Sequence, residues 1–361
     1  MKKYLKIYED IKKEIISGAI GYGQKLKSKR TLAEDEGVSV ITVELAYDLL
    51  YSEGYIESKE RSGYYCVYKK GHMYLPNDIE KESERNTSFM IKNEGISFNV
   101  LAKTIRKVLS DKGESVMQKS PNGGESCLKL AIKNYLLRNR NIEVDLEQII
   151  IGSGAEYLYG LVISLFGKNA VFGIEKPSYR QIENVYKSLG AKYEQLLLTE
   201  NGISEQSLVK TCATVLHVTP CRSYPTGISV NYAKKRAYIE WAKKCDRYII
   251  EDDYDSEFSF SGKIPQTIFS MAGGEHVIYI NTFSKTVCPS LRAGYMILPK
   301  SLVKSFNEKL GFYSCPVPTL EQFVLTELLN GGEFERHINK IRRLRKKETE
   351  NTKTNRKSLL F

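Results

Sequence analysis

Apolar residues set the first rhythm of the chain. Tyr4, Leu5, Ile7, Tyr8, Ile11, Ile15 and Ile16 recur at helical spacing, and Gly18 and Gly21 stop the run. In GQKLKSKRTLAEDEGVSVITVELAYDLLYSEGYIE, Ser28 is placed to cap a short helix through Glu36. Gly37 makes a turn, and Ser39 caps a second helix to about Ser52. Two short helices joined at a glycine predict a helix-turn-helix, whose second helix lies in a DNA major groove. Tyr55–Glu57 and Tyr64–Tyr68 then alternate as two short strands, with Gly63 at the tip and Lys59 and Arg61 beside it. That hairpin is a wing suited to phosphates or the minor groove.

From residue 71 to 95 the chain is polar and charged without a period, which predicts a tether. Beyond it, Phe98–Leu109 and Cys127–Leu137 read as helices, and strands and helices then alternate. Strands are expected at Gln148–Ile151, Ala170–Ile174, Tyr193–Leu198, Thr214–Val218, Tyr248–Glu251, His276–Asn281 and Ala293–Leu298. Helices are expected at Glu156–Phe166, Tyr179–Leu189 and Tyr232–Lys244. Such alternation means an α/β domain: a mainly parallel central sheet with helices on both faces and ligands at the carboxyl ends of the strands. The expected domains are residues 1–70, the linker 71–95, and 96–361.

Composition changes this picture little. The 361 residues suffice for two or three domains. No apolar run reaches membrane-span length, the N-terminus does not read as a signal peptide, and the seven cysteines have no metal-ligand spacing. A reducing cytoplasm and no membrane partner are expected. The net charge of +11 resides mostly in residues 336–361, while the first 70 residues are nearly balanced. A nucleic-acid partner is therefore argued from pattern rather than bulk charge.

The chemistry-bearing residues stand at strand ends. In HVIYINTFSKTVCPSLRAGYMILP, Lys285 and Arg292 lie between two apolar strands, among Thr282, Ser284, Thr286 and Ser290. A lysine flanked by buried strands is pushed toward the neutral amine that Schiff-base chemistry requires. An arginine with neighbouring hydroxyls can clamp a phosphate. Together they suggest pyridoxal 5'-phosphate (PLP). In IIIGSGAEYLYG, small residues and a helix start, Gly152 to Ala155, can approach an anion. Tyr179, after Pro177, can stack on a flat ring. Pro220–Gly227 reads as a rigid wall. Glu251, Asp252, Asp253 and Asp255 crowd one strand end, and one of them can pair with a pyridinium N–H; a Mg²⁺ or Ca²⁺ site is the rival reading.

The segments LKSKRTLAEDEGVSVITVELAYDLLYSEGYI and RSGYYCV resemble the GntR family of winged-helix regulators. The resemblance implies backbone contacts from Lys29 and Arg30, a recognition helix opened by Ser39, Ile41 and Thr42, and Arg61 at the wing. Where that family often has arginine this chain has Val40, which implies weaker base discrimination. EDDYDSEF and NTFSKTVCPSLRAGY, following such a module, resemble the MocR-type regulators, in which a winged helix is fused to a fold-type I aminotransferase-like domain. That implies a Schiff base at Lys285 and Asp252 on the pyridine nitrogen, with Asp253 as its substitute. It also implies Tyr254 on the ring hydroxyl and Tyr179 on the ring face. Backbone N–H groups of Ala155 and Glu156 would meet the phosphate with Thr282, Ser284 and Arg292, the Glu156 side chain turned away. Departures are Tyr224 where aminotransferases place asparagine, Arg222-Ser223 where MocR-type proteins often have His-Gln or His-His, and a polar tail, ETENTKTNRKSLLF. That tail suggests a truncated chain without the small subdomain that carries the substrate-carboxylate arginine. The expected protein is a homodimeric regulator of an operator DNA that responds to a small amino-compound effector. An active aminotransferase, or a regulator retaining only DNA binding, are the alternatives.

Overall fold

The computed structural model describes residues 2–59, 62–69, 95–258 and 265–358, with side chains to residue 347. The chain divides into two compact units, Met1–Ser88 and Phe89–Phe361. Arg61 and the expected linker, Gly95 excepted, lie outside the described residues.

The first unit contains helices α1 (Lys3–Ser17), α2 (Lys29–Asp35) and α3 (Val40–Ser52), then strands β1 (Ile56–Lys59) and β2 (Gly63–Cys66). Gly18 ends α1 in the left-handed conformation (φ 87°), which glycine adopts without a Cβ penalty. The Ser28 and Ser39 hydroxyls accept from the Thr31 and Thr42 N–H groups, so both expected caps form. Strands β1 and β2 pair antiparallel from Ile56↔Cys66 to Lys59↔Gly63. One core serves all five elements: Ile7, Ile11 and Ile15 of α1 meet Leu32, Val43, Ala46, Tyr47 and Leu50 of α2 and α3.

The second unit begins with α4 (Phe98–Lys112), α5 (Ser126–Arg140), β3 (Ile149–Gly152), α6 (Ala155–Phe166), β4 (Val171–Lys176), α7 (Arg180–Ser188), β5 (Lys192–Thr199) and β6 (Gly202–Ile203). It continues with α8 (Glu205–Lys210), β7 (Val215–Val218), α9 (Tyr232–Lys244), β8 (Tyr248–Asp252), α10 (Ile268–Met271), β9 (Val277–Thr282) and β10 (Gly294–Ile297). Helices α11 (Lys300–Leu310), α12 (Thr319–Asn330) and α13 (Glu333–Ser358) follow. Strand order is β3-β10-β9-β8-β7-β4-β5-β6. The run β9-β8-β7-β4-β5 is parallel, while β10 runs against both neighbours and β6 against β5. The α/β, mainly parallel reading therefore holds.

Both faces of the sheet are covered, as parallel sheets require. One core holds Ile249, Tyr279 and Tyr295 with Ile132 and Leu136 of α5 and Leu325 and Leu328 of α12. The other holds Ile250, Ile278, Ile280 and Met296 with Leu158 and Val162 of α6. Successive residues of β8 and β9 alternate between the two, the period-2 rule of strands. This alternation decides which acid reaches which face. Among the described residues, no helix is long and apolar enough to cross a membrane.

Candidate functional site

Strands β3, β4, β7, β8 and β9 end along one edge of the sheet, and β10 starts there. Gly294 pairs with both Gly152 and Thr282, which brings the start of α6, the end of β9 and the segment after Arg292 to one row. Gly294 is held to glycine by space: an added Cβ would lie 2.9 Å from the Asn281 carbonyl. Helix α6 starts from Gly154 (φ 100°) without a side-chain cap, so its first N–H groups face outward. An added Cβ at Gly154 would stand 3.2 Å from Arg292 Nη2, so the guanidinium lies directly over this helix start. Arg292 holds a left-handed backbone (φ 43°), uncommon for a residue with a side chain and favoured at functional turns. Its guanidinium donates to Glu156 at 3.0 Å. The Glu156 side chain thus does not turn away; it holds the arginine, because an exposed guanidinium finds the nearest carboxylate. Ala155, Glu156, Thr282 and Arg292 come together at this row, and Ser284 is in the loop immediately beyond Thr282.

Asp252 ends β8 on the α6 face. Its Oδ2 accepts from the buried Tyr159 hydroxyl and lies 3.9 Å from His217 Nε2. Its Oδ1 is buried with no hydrogen-bond partner among the described residues, as is His217 Nε2. Asp253, on the other face, is occupied: Tyr279 donates to it at 2.7 Å and Arg140 stands 3.3 Å away. Glu257 is 3.2 Å from the same guanidinium. The remaining acids also have employment. Glu251 accepts from the Ile268 and Phe269 N–H groups at the start of α10, and burial pushes its carboxyl up to about 7. Asp255 pairs with Lys285 at 2.5 Å, with Arg222 at 3.0 Å and with Arg345 at 3.7 Å.

Lys285 is not sealed between strands as the sequence suggested. It lies in the loop after β9, its side chain 35% exposed, with Nζ against Asp255 and 5.0 Å from the centre of the Tyr254 ring. The Tyr254 hydroxyl donates to the Arg222 carbonyl, and burial pushes its pKa up to about 12. Tyr179 is the residue before α7 rather than its first, its backbone extended (ψ 118°); its ring is partly exposed and meets Tyr224 edge-on at 6.0 Å. Behind this wall, Ser223 donates to buried Glu175 at 2.9 Å, and burial lifts that carboxyl to about 8.

The sequence reading missed Tyr159, His217, Glu175 and Arg140. Only Arg140 left a signal: it continues the buried stripe Leu128, Ile132, Leu136 of α5 at the next i+4 position. A charged residue on an apolar stripe needs a buried partner.

In the first unit, Arg30 and Ser39 are exposed at the starts of α2 and α3, Ile41 is 68% exposed, and Thr42 is half-buried. Lys29 is engaged by Glu44 at 2.6 Å, and that bond raises its pKa.

A three-helix unit with a two-stranded wing and an α/β unit of this strand order together define a winged-helix protein fused to an aminotransferase fold. Comparison with known proteins agrees. Residues 3–66 match bacterial regulatory proteins of the gntR family, and residues 60–359 match aminotransferase class I and II. YdeL, an HTH-type transcriptional regulator of Bacillus subtilis, is 31% identical over 96% of this chain and 77% of its own. MocR of Rhizobium meliloti is 27% identical over 94% and 74%. LysN, the α-aminoadipate aminotransferase of Thermus thermophilus, solved with N-(5'-phosphopyridoxyl)-L-leucine, has a TM-score of 0.60 at 25% identity. That match covers 68% of this chain and 63% of the LysN chain, so this chain spans less than two thirds of the solved enzyme. The chain belongs to the aminotransferase class I and II family and, with its gntR-family module, to the MocR-type transcriptional regulators.

Proposed function

We propose that the second unit takes up PLP at Lys285, and that a small amino compound acting there changes DNA binding by the first unit. The observation that carries this reading is the bare Oδ1 of Asp252. A buried carboxylate oxygen without a donor is costly, and a pyridinium N–H is the donor its position suits. Asp253, with its hydrogen-bond partners in place, does not fit that role. The uncapped start of α6 under Arg292, with Thr282 and Ser284 beside it, suits a phosphate. Arg292 would exchange Glu156 for that dianion, while Ala155 and Glu156 offer backbone N–H groups. Tyr254 and Tyr179 would bound the ring. Bound there, PLP supplies an electrophilic aldehyde carbon and a ring that withdraws electrons. Lys285 supplies the amine and Asp255 holds it in place.

An effector that competes for the same chemistry shifts the regulator only by binding its DNA-competent and incompetent states unequally. A homodimer working in the cytoplasm completes the proposal, since paired half-sites on DNA match two-fold symmetry. Addition of PLP to the purified chain should give a visible absorption band. Borohydride reduction should then leave the phosphopyridoxyl mass on the peptide containing Lys285. Lys285→Ala should lose both. No band with the native chain, or a band kept by Lys285→Ala, rejects the proposal.

A further inference from the structure

The recognition helix α3 has an unusual solvent face. Ile41, Glu44, Leu45 and Asp48, spaced i, i+3, i+4 and i+7, all point outward, with Val40 beside Ile41 in the first turn. Val43, Ala46, Tyr47 and Leu50 form the buried face. Ile41 is 68% exposed, Leu45 48% and Val40 42%.

From Val40 to Ser52 there is no lysine, arginine, asparagine or glutamine. Those are the side chains that grip guanine and adenine edges with two hydrogen bonds. The polar groups near the tip are already engaged. Ser39 Oγ accepts from the Thr42 N–H and lies 2.8 Å from the Thr42 hydroxyl, and Glu44 is held by Lys29. What this helix brings to a base edge is branched hydrocarbon. The N-terminal residues of a recognition helix are the ones that meet base edges, and the apolar feature that the major groove offers is the thymine 5-methyl group.

We propose that Val40, Ile41 and Leu45 read thymine methyl groups, so that thymines in each half-site specify the operator. Exposed basic residues such as Arg30 contribute backbone attraction without sequence preference. The inference rests on membership of the gntR family and not on cofactor binding.

The test uses the full chain and a duplex recovered from a random-sequence pool by repeated selection. The same duplex is then made with deoxyuridine in place of thymidine, which deletes the methyl groups and leaves base pairing intact. Each contacted methyl should be worth about fourfold in affinity, the transfer value of one buried carbon. In a Val40→Ser, Ile41→Ser variant that loss should shrink toward none. Both positions are exposed, so the variant should keep its circular dichroism spectrum and melting temperature. Equal binding of the two duplexes by the native chain overturns the proposal. So does a loss of the same size in the variant, which would assign the effect to DNA shape.

Discussion

Asp252 and Asp253 are neighbours in the chain and opposites in the fold. Asp253 faces Arg140, 3.3 Å away in the interior, so removing its charge leaves the buried guanidinium with Glu257 as its remaining ion-pair partner among the described residues. Asp253→Asn should therefore cost toward the lower end of the roughly 3–5 kcal/mol typical of a broken buried pair, read by denaturant unfolding. Asp252→Asn keeps an acceptor for Tyr159 and relieves a bare buried oxygen. It should shift stability by no more than about 1 kcal/mol yet abolish or weaken the PLP absorption band. The reverse pattern would mean that Asp253 is the pyridine partner. Glu175 carries a separate prediction. Its folded carboxyl sits at about 8 against an ordinary 4.5, because burial disfavours the charge. Between those values the native state keeps a proton that the unfolded chain has lost. Stability should be highest at or below about pH 4.5 on this account and fall as pH rises toward 8, by about 1.4 kcal/mol per unit at most. Glu251, lifted to about 7, adds to the fall over the lower part of that window. Glu175→Gln should flatten the slope between pH 7 and 8; parallel curves for variant and native chain would refute it.

At the scale of elements, what repeats in sequence was legible. Helices α1, α3, α4, α5, α6 and α9 follow apolar periods near 3.6 and the strands of the parallel run are short apolar runs; several helix ends fall at serine or glycine, as at Ser39 before α3, Gly18 after α1 and Gly167 after α6. The short pieces were not legible. Strand β6 has two residues, α10 four and α8 six, too few to show a period. They exist because the long elements around them bring partners within reach: Glu251 caps α10, and the Thr199 hydroxyl donates to the Gly202 carbonyl across the turn into β6. Helix α3 depends on its cap. Ser39→Ala removes the acceptor for the Thr42 N–H and should cost about 1 kcal/mol.

On the scale of the whole molecule, the two units have separate cores, one around Val43, Tyr47 and Leu50, the others on the two faces of the sheet. Separate cores permit separate unfolding. Calorimetry of the full chain should resolve two transitions. Ser39→Ala should lower only the transition of the first unit, and Asp253→Asn only that of the second. A single transition moved by both variants would show that the units unfold together.

Local order is what the linear chain determined: which segments are helix or strand, where caps stop them, that a winged helix precedes an α/β unit, and that Lys285 and Arg292 lie in one loop at a strand end. Periodicity and capping act over a few residues, so they can be read without a fold. Tertiary structure decided the pairings. The chain presents four acids within five residues, but only the sheet, packed on α5 and α6 from opposite sides, directs Asp253 to Arg140 and leaves Asp252 with a bare oxygen beside Tyr159 and His217. Likewise Glu156 and Arg292, far apart in sequence, meet because β3 and β10 are hydrogen-bonded neighbours. A side chain's direction depends on strand register and on what packs over it, and neither is written in the spacing of the residues.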